Sequence, residues 1–161
     1  MDRRPDAVDD DAAVDQDEMI DDPSSDDTRD QTTWSPMIQA AHDGDVRGVQ
    51  RLIAANADLE ATDDTGKTAL AYAVMKRHAK CVQLLIAAKA RIDVQDECLM
   101  TPLISAALKG HLECLRLLVA ARANIGARDG DGDTALHLAV LGGHTRCVRL
   151  LIAAKASVNT R

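Results

Sequence analysis

Residues 134–151 read TALHLAVLGGHTRCVRLL, and the stretch returns upstream at a fixed step. It appears as TPLISAALKGHLECLRLL at 101–118, as TALAYAVMKRHAKCVQLL at 68–85, and more loosely as SPMIQAAHDGDVRGVQRL at 35–52. The step is 33 residues, without gaps. Ser35, Thr68, Thr101 and Thr134 fall in one column, as do Leu52, Leu85, Leu118 and Leu151, and Ala57, Ala90, Ala123 and Ala156. His78, His111 and His144 keep the same step, and so do Cys81, Cys114 and Cys147. Five columns in one phase make an internal repeat, the feature to be read before any other.

Within a unit the pattern predicts two short helices. The Thr68 hydroxyl can cap the free N–H groups of the turn after it. Ala69, Leu70, Ala73 and Val74 then recur at helical spacing. A Gly or polar break follows at Gly44, Arg77, Gly110 and Gly143. Second helices are predicted near 46–54, 79–87, 112–120 and 145–153, with Cys81, Val82, Leu84, Leu85 and Ile86 on the apolar side of one of them. Between units lie polar turns, such as Asp63-Asp64-Thr65-Gly66 and Asp129-Gly130-Asp131-Gly132. One unit is too short to bury its own apolar face, so neighbours must stack into a continuous core.

Thr101-Pro102-Leu103, Thr134-Ala135-Leu136-His137, Gly110-His111 and Gly143-His144, together with Leu117-Leu118 and Leu150-Leu151, resemble the ankyrin repeat. The resemblance covers about residues 30–161, in repeats of about 30–62, 63–95, 96–128 and 129–161. It implies an all-α solenoid of stacked antiparallel helix pairs with projecting β-hairpin-like turns. It also implies a protein-binding role without catalytic residues. Some positions depart from the family. Asn56, Lys89, Arg122 and Lys155 stand where it usually has Gly past the second helix, Leu99 replaces the turn Gly, and Arg77 replaces the Gly between helices. If a left-handed cap is kept, Lys or Arg there costs about 1 kcal/mol, and a positive charge at a helix C-terminus recovers part of that.

In proteins of this kind partners dock on the turn tips and the exposed side of the first helices. Carried over by position, the resemblance implies a partner-binding face of Trp34, Asp64, Lys67, Met75, Lys76, Cys98, Met100, Leu108, Lys109, Asp131, Asp133 and Leu141, with His42, Asp43 and Thr65 beside them. Met75, Met100, Leu108 and Leu141 are apolar where turns are normally polar, and an exposed apolar patch marks an interaction site.

Residues 1–33 carry 13 acidic and 3 basic side chains, whereas 34–161 carry 13 acidic and 16 basic. An asymmetry this large assigns the two parts different work. The Asp-rich segment has too few large apolar residues to offset its ordering entropy, so it is read as a disordered tail ahead of a repeat domain at 34–161. Its Ser24-Ser25-Asp26-Asp27 suits an acid-directed kinase. One Trp, one Tyr and no Phe leave the chain without the stacking platforms of single-strand binders, so nucleic acid is not expected as a partner. No apolar run is long enough to span a bilayer, and no signal peptide is legible. An intracellular domain with reduced cysteines is therefore expected.

The His-x-x-Cys pairs look like metal ligands, but zinc wants about four converging groups and helices in neighbouring units lie about 8–10 Å apart. Asp129-Gly130-Asp131-Gly132-Asp133 resembles the opening of a calcium loop, yet Thr134 and Val140 stand where that loop needs Gly and Glu. Cys98 has acidic neighbours, Asp96 and Glu97, which do not activate a thiol. No cofactor, metal or catalytic group is therefore expected. The function expected is a non-catalytic interaction module, an adaptor, scaffold or targeting arm. The alternatives are a regulatory inhibitor that uses its acidic tail electrostatically, and the interaction domain of a larger multidomain enzyme. Cys147, Val148, Leu150, Leu151 and Ile152 repeat the interior pattern. A bare apolar end is thus expected there, open to further repeats or to self-association, whereas Gly48 and Arg51 are expected to make a polar cap at the other end.

Overall fold

The computed structural model describes residues 34–159, with side chains as far as Lys155. Expectations for residues 1–33, including the disordered tail and the Ser24–Asp27 phosphosite, lie outside the described residues.

Eight helices run through the described residues in four pairs: α1 (Pro36–Asp43), α2 (Val46–Ala54), α3 (Ala69–Met75), α4 (Ala79–Ala87), α5 (Pro102–Lys109), α6 (Leu112–Ala120), α7 (Ala135–Leu141) and α8 (Thr145–Asn159). The first helices α1, α3, α5 and α7 pack on one another in order, and the second helices α2, α4, α6 and α8 do the same. This is the expected solenoid of helix pairs.

Side chains one repeat apart start every first helix in the same way. The hydroxyls of Ser35, Thr68, Thr101 and Thr134 accept from the amides of Ile38, Ala71, Ile104 and His137 at 3.2–3.3 Å. Each such cap contributes about 1 kcal/mol. The first helices end in a left-handed turn, and the amides of Asp45, His78, His111 and His144 reach back to the carbonyls of Ala40, Ala73, Ala106 and Ala139. Gly44, Gly110 and Gly143 hold positive φ without strain, whereas Arg77 holds φ 67° with a side chain. The same strain occurs at Asn56, Lys89, Leu99 and Arg122. The left-handed cap is therefore kept where the family's Gly is missing.

Lys155 is the exception. Its column continues as helix, and α8 runs to Asn159, not to the expected 153. Past the second helices of the two middle units a carboxylate of the preceding unit holds the chain: Glu60 accepts from the Arg91 amide at 3.0 Å, and Asp93 from the Asn124 amide at 2.9 Å. The next residue in that column is Gly126, which has no side chain to do this.

The core is made of the columns seen in the sequence. Cys81, Cys114, Cys147, Leu85, Leu118 and Leu151 are all buried. The bare end is smaller than expected, since Cys147 and Leu151 are covered and Val148 and Leu150 are half-buried, with Ile152 left exposed. At the other end Arg51 is exposed as expected, but Gly48 is buried beneath the carboxylate of Asp45, which caps its amide at 2.9 Å.

Candidate interaction surface

The projecting turns are built by a column of aspartates. Asp63 Oδ1 accepts from the amides of Thr65 and Lys67 and from the Thr65 hydroxyl, and Asp63 Oδ2 accepts from the Tyr72 hydroxyl at 2.5 Å. Asp96 accepts from the amides of Cys98 and Met100, and Asp129 from those of Asp131 and Asp133. Each aspartate thus folds the turn over itself, and short antiparallel bridges close the base at Thr62–Thr68 and Arg128–Thr134. Burial pushes the Asp63 carboxyl up, but the hydrogen bonds from Tyr72, Lys67 and Thr65 outweigh it and hold the group below its ordinary range. The periodicity of 63, 96 and 129 was visible in the sequence. Its role was not, because Asp is common in any polar turn.

Successive turns are joined. The Glu97 amide donates to the Thr65 carbonyl at 3.0 Å, the Gly130 amide to the Cys98 carbonyl at 2.9 Å, and Lys67 pairs with Asp96 at 3.5 Å. The result is one ridge, on which Asp64, Cys98 and Asp131 are exposed.

The histidine column joins the units a second time. The rings of His78, His111 and His144 hydrogen-bond the carbonyls of His42, Val74 and Leu108 in the unit before, at 3.1, 2.9 and 3.1 Å. A neutral ring donates in this geometry, and burial lowers the pKa of His78 and His111. The paired cysteines point elsewhere, into the core. Burial raises the thiols of Cys81 and Cys114 to about 11 and pushes Cys147 up as well. Among the described residues no group of three or more His, Cys, Asp or Glu is arranged to hold a metal.

The residues expected to bind a partner fall into two sets. Asp64, Cys98, Leu108, Lys109, Asp131 and Leu141 are exposed. The others are occupied or half-buried. Trp34 stacks against His42 and Tyr72 with ring centroids 4.9 Å from each. Lys67 is held by Asp96, and Asp133 by His137 at 2.6 Å. Met75 and Lys76 are half-buried, and Met100 packs against the core. The expected run of four exposed apolar side chains is corrected accordingly: Met75 and Met100 are half-buried, Met100 against the hydrophobic core. The exposed apolar surface belongs to the later units. His42, Met75, Leu108 and Leu141 share one column, and Leu108 is 44% and Leu141 69% exposed. Val140 adds to it at 56%, although its counterparts Ala41, Val74 and Ala107 are buried. Sequence reasoning missed Val140 because it repeats an interior pattern, and only its place in the last described pair uncovers it.

Among the described residues, no helix is long and apolar enough to cross a membrane. A protein-family model described as ankyrin repeats (3 copies) matches residues 16–96 and 88–161. No curated protein matches the chain.

Proposed function

The chain belongs to the ankyrin repeat family, whose members are generally protein–protein interaction modules, and from that premise we propose that it is a non-catalytic adaptor or scaffold. Its partner is another protein, which docks on the first-helix ends and the turn ridge of the later units. The observation that carries this reading is the exposed apolar patch of Leu108, Val140 and Leu141, set beside Lys109 on helices fixed by capped, hydrogen-bonded turns. A rigid scaffold loses little freedom on binding. Asp64, Cys98 and Asp131 form the polar rim on the ridge. The four cysteines are unpaired, which supports a reducing, intracellular setting. The test is affinity capture with the wild-type chain and a Leu108→Asp/Leu141→Asp variant of unchanged helicity. A partner lost by the variant supports the surface, and an unchanged partner set removes it.

A second reading is favoured by the charge of residues 1–33, with 13 acidic and 3 basic side chains. In it the chain is a regulatory inhibitor, and the acidic segment competes for a basic site on the partner. Deleting 1–33 then removes the salt-sensitive part of the affinity, whereas an adaptor keeps its affinity.

A further inference from the structure

The charges of the solenoid are sorted by layer. The second helices and their flanking turns (44–57, 77–90, 110–123 and 143–156) carry ten basic and two acidic side chains. The first helices and the turn ridge (34–43, 58–76, 91–109 and 124–142) carry five basic and eleven acidic. All ten basic side chains of the second-helix layer are exposed. Among the described residues only one of them, Arg116, has an acidic partner, Glu113 at 3.8 Å. The acids of the opposite layer are largely engaged, with Asp63, Asp96 and Asp129 inside their turns.

A face this charged attracts a polyanion, and among the described residues only Glu113 pairs with any of its cations. We infer that the second-helix face is a separate docking surface, which takes an acidic polypeptide segment. This goes beyond the apolar patch, which lies on the other layer and would meet a different partner. Seven of the ten cations are arginines, whose planar fork pairs with carboxylates in two-point geometry. Neighbouring helices stand about 8–10 Å apart, so an extended peptide at about 3.3–3.6 Å per residue meets a new rung every third residue. A groove of about 670 Å³ opens on this face, with Arg77, Glu113, His144 and Arg146 in its wall.

Other polyanions fit less well. The only Trp and Tyr of the chain, Trp34 and Tyr72, lie in the first-helix layer, so bases find no stacking platform. Among the described residues Ile152 is the one exposed large apolar side chain on this face, too little to insert into a bilayer. Asp45 and Glu113 interrupt the face. A flexible chain steps around them more readily than a rigid duplex does.

The experiment is fluorescence anisotropy of a labelled 20-residue Glu-rich peptide titrated with the full-length chain at low salt. Binding is expected to weaken as salt rises. Lys80→Glu/Arg116→Glu/Arg149→Glu is expected to weaken it about tenfold, while Lys76→Glu/Lys109→Glu on the other layer leaves it unchanged. If the triple reversal loses its helical circular dichroism, Lys80→Gln/Arg116→Gln/Arg149→Gln gives the same reading at about threefold. The inference is overturned if the peptide does not bind or if both variants weaken it equally. It is also overturned if a 20-base-pair duplex or phosphatidylserine vesicles bind more tightly than the peptide.

Discussion

Replacing Asp63 with alanine removes the acceptor for four hydrogen bonds at once, three of them within 2.8–3.0 Å of a single oxygen. The residue is 6% exposed, so water replaces the carboxylate poorly. A hydrogen bond to a charged group contributes about 1.5–3 kcal/mol. Donors that share one oxygen do not add in full, and a loss of about 3 kcal/mol is expected. Asp96 offers a graded comparison, with two turn amides and the Lys67 pair, and its alanine variant should lose about 2 kcal/mol. Asp129, half-buried and holding two amides, should lose about 1 kcal/mol. Urea unfolding followed by far-ultraviolet circular dichroism reads these values. With a slope of about 1.5 kcal/mol per molar, the Asp63→Ala midpoint falls by about 2 M. The carboxyl titrates below its ordinary value of 3.8 in the fold, so its contribution is present above that pH and is lost as pH falls through the native value. Asp63→Asn should flatten that acid loss. Equal shifts for the three alanine variants, or the largest shift at Asp129, would refute the view that these carboxylates organise the turns.

Among the four cysteines only Cys98 is exposed, so a thiol reagent at pH 8 should label one site quickly in the native chain; fast labelling of two or more would contradict the burial of the others. His78 and His111 have native pKa values below 6.5, so the unfolded chain takes up protons first. Melting temperature should then drop as pH falls below about 6.5, and a profile flat from pH 7.5 to 5 counts against the neutral-ring bonds. Lys89→Gly and Arg122→Gly relieve a positive φ and should stabilise by about 1 kcal/mol each. Lys155→Gly lies inside α8 and should destabilise by about 0.5–1 kcal/mol; the same sign at all three positions would show that α8 ends like its counterparts.

Much of this fold was legible because a 33-residue step superimposes every cap, break and core position. Helices α2, α4 and α6 begin and end where the apolar pattern does. The end of α8 was not legible, since its residues repeat the pattern of second helices that stop at 54, 87 and 120. The interaction surface was legible only in part. Met75, Leu108 and Leu141 recur in one column and Met100 stands in another, but a column does not say which of its side chains the stacked structure covers. Met100 joins the core while Leu141 stands open. The histidine column was seen as a spacing, and its bonds to the preceding unit emerged only from the stacking.

The claim that the exposed ends of α5 and α7 hold a partner protein is tested most directly by comparing two variants in quantitative affinity capture. One is Leu108→Asp/Leu141→Asp, and the other is Lys80→Glu on the opposite layer. The account predicts a protein that is retained by the wild-type chain and by Lys80→Glu but lost by Leu108→Asp/Leu141→Asp, with helicity equal in all three. Retention of the same proteins by Leu108→Asp/Leu141→Asp as by the wild type would contradict it.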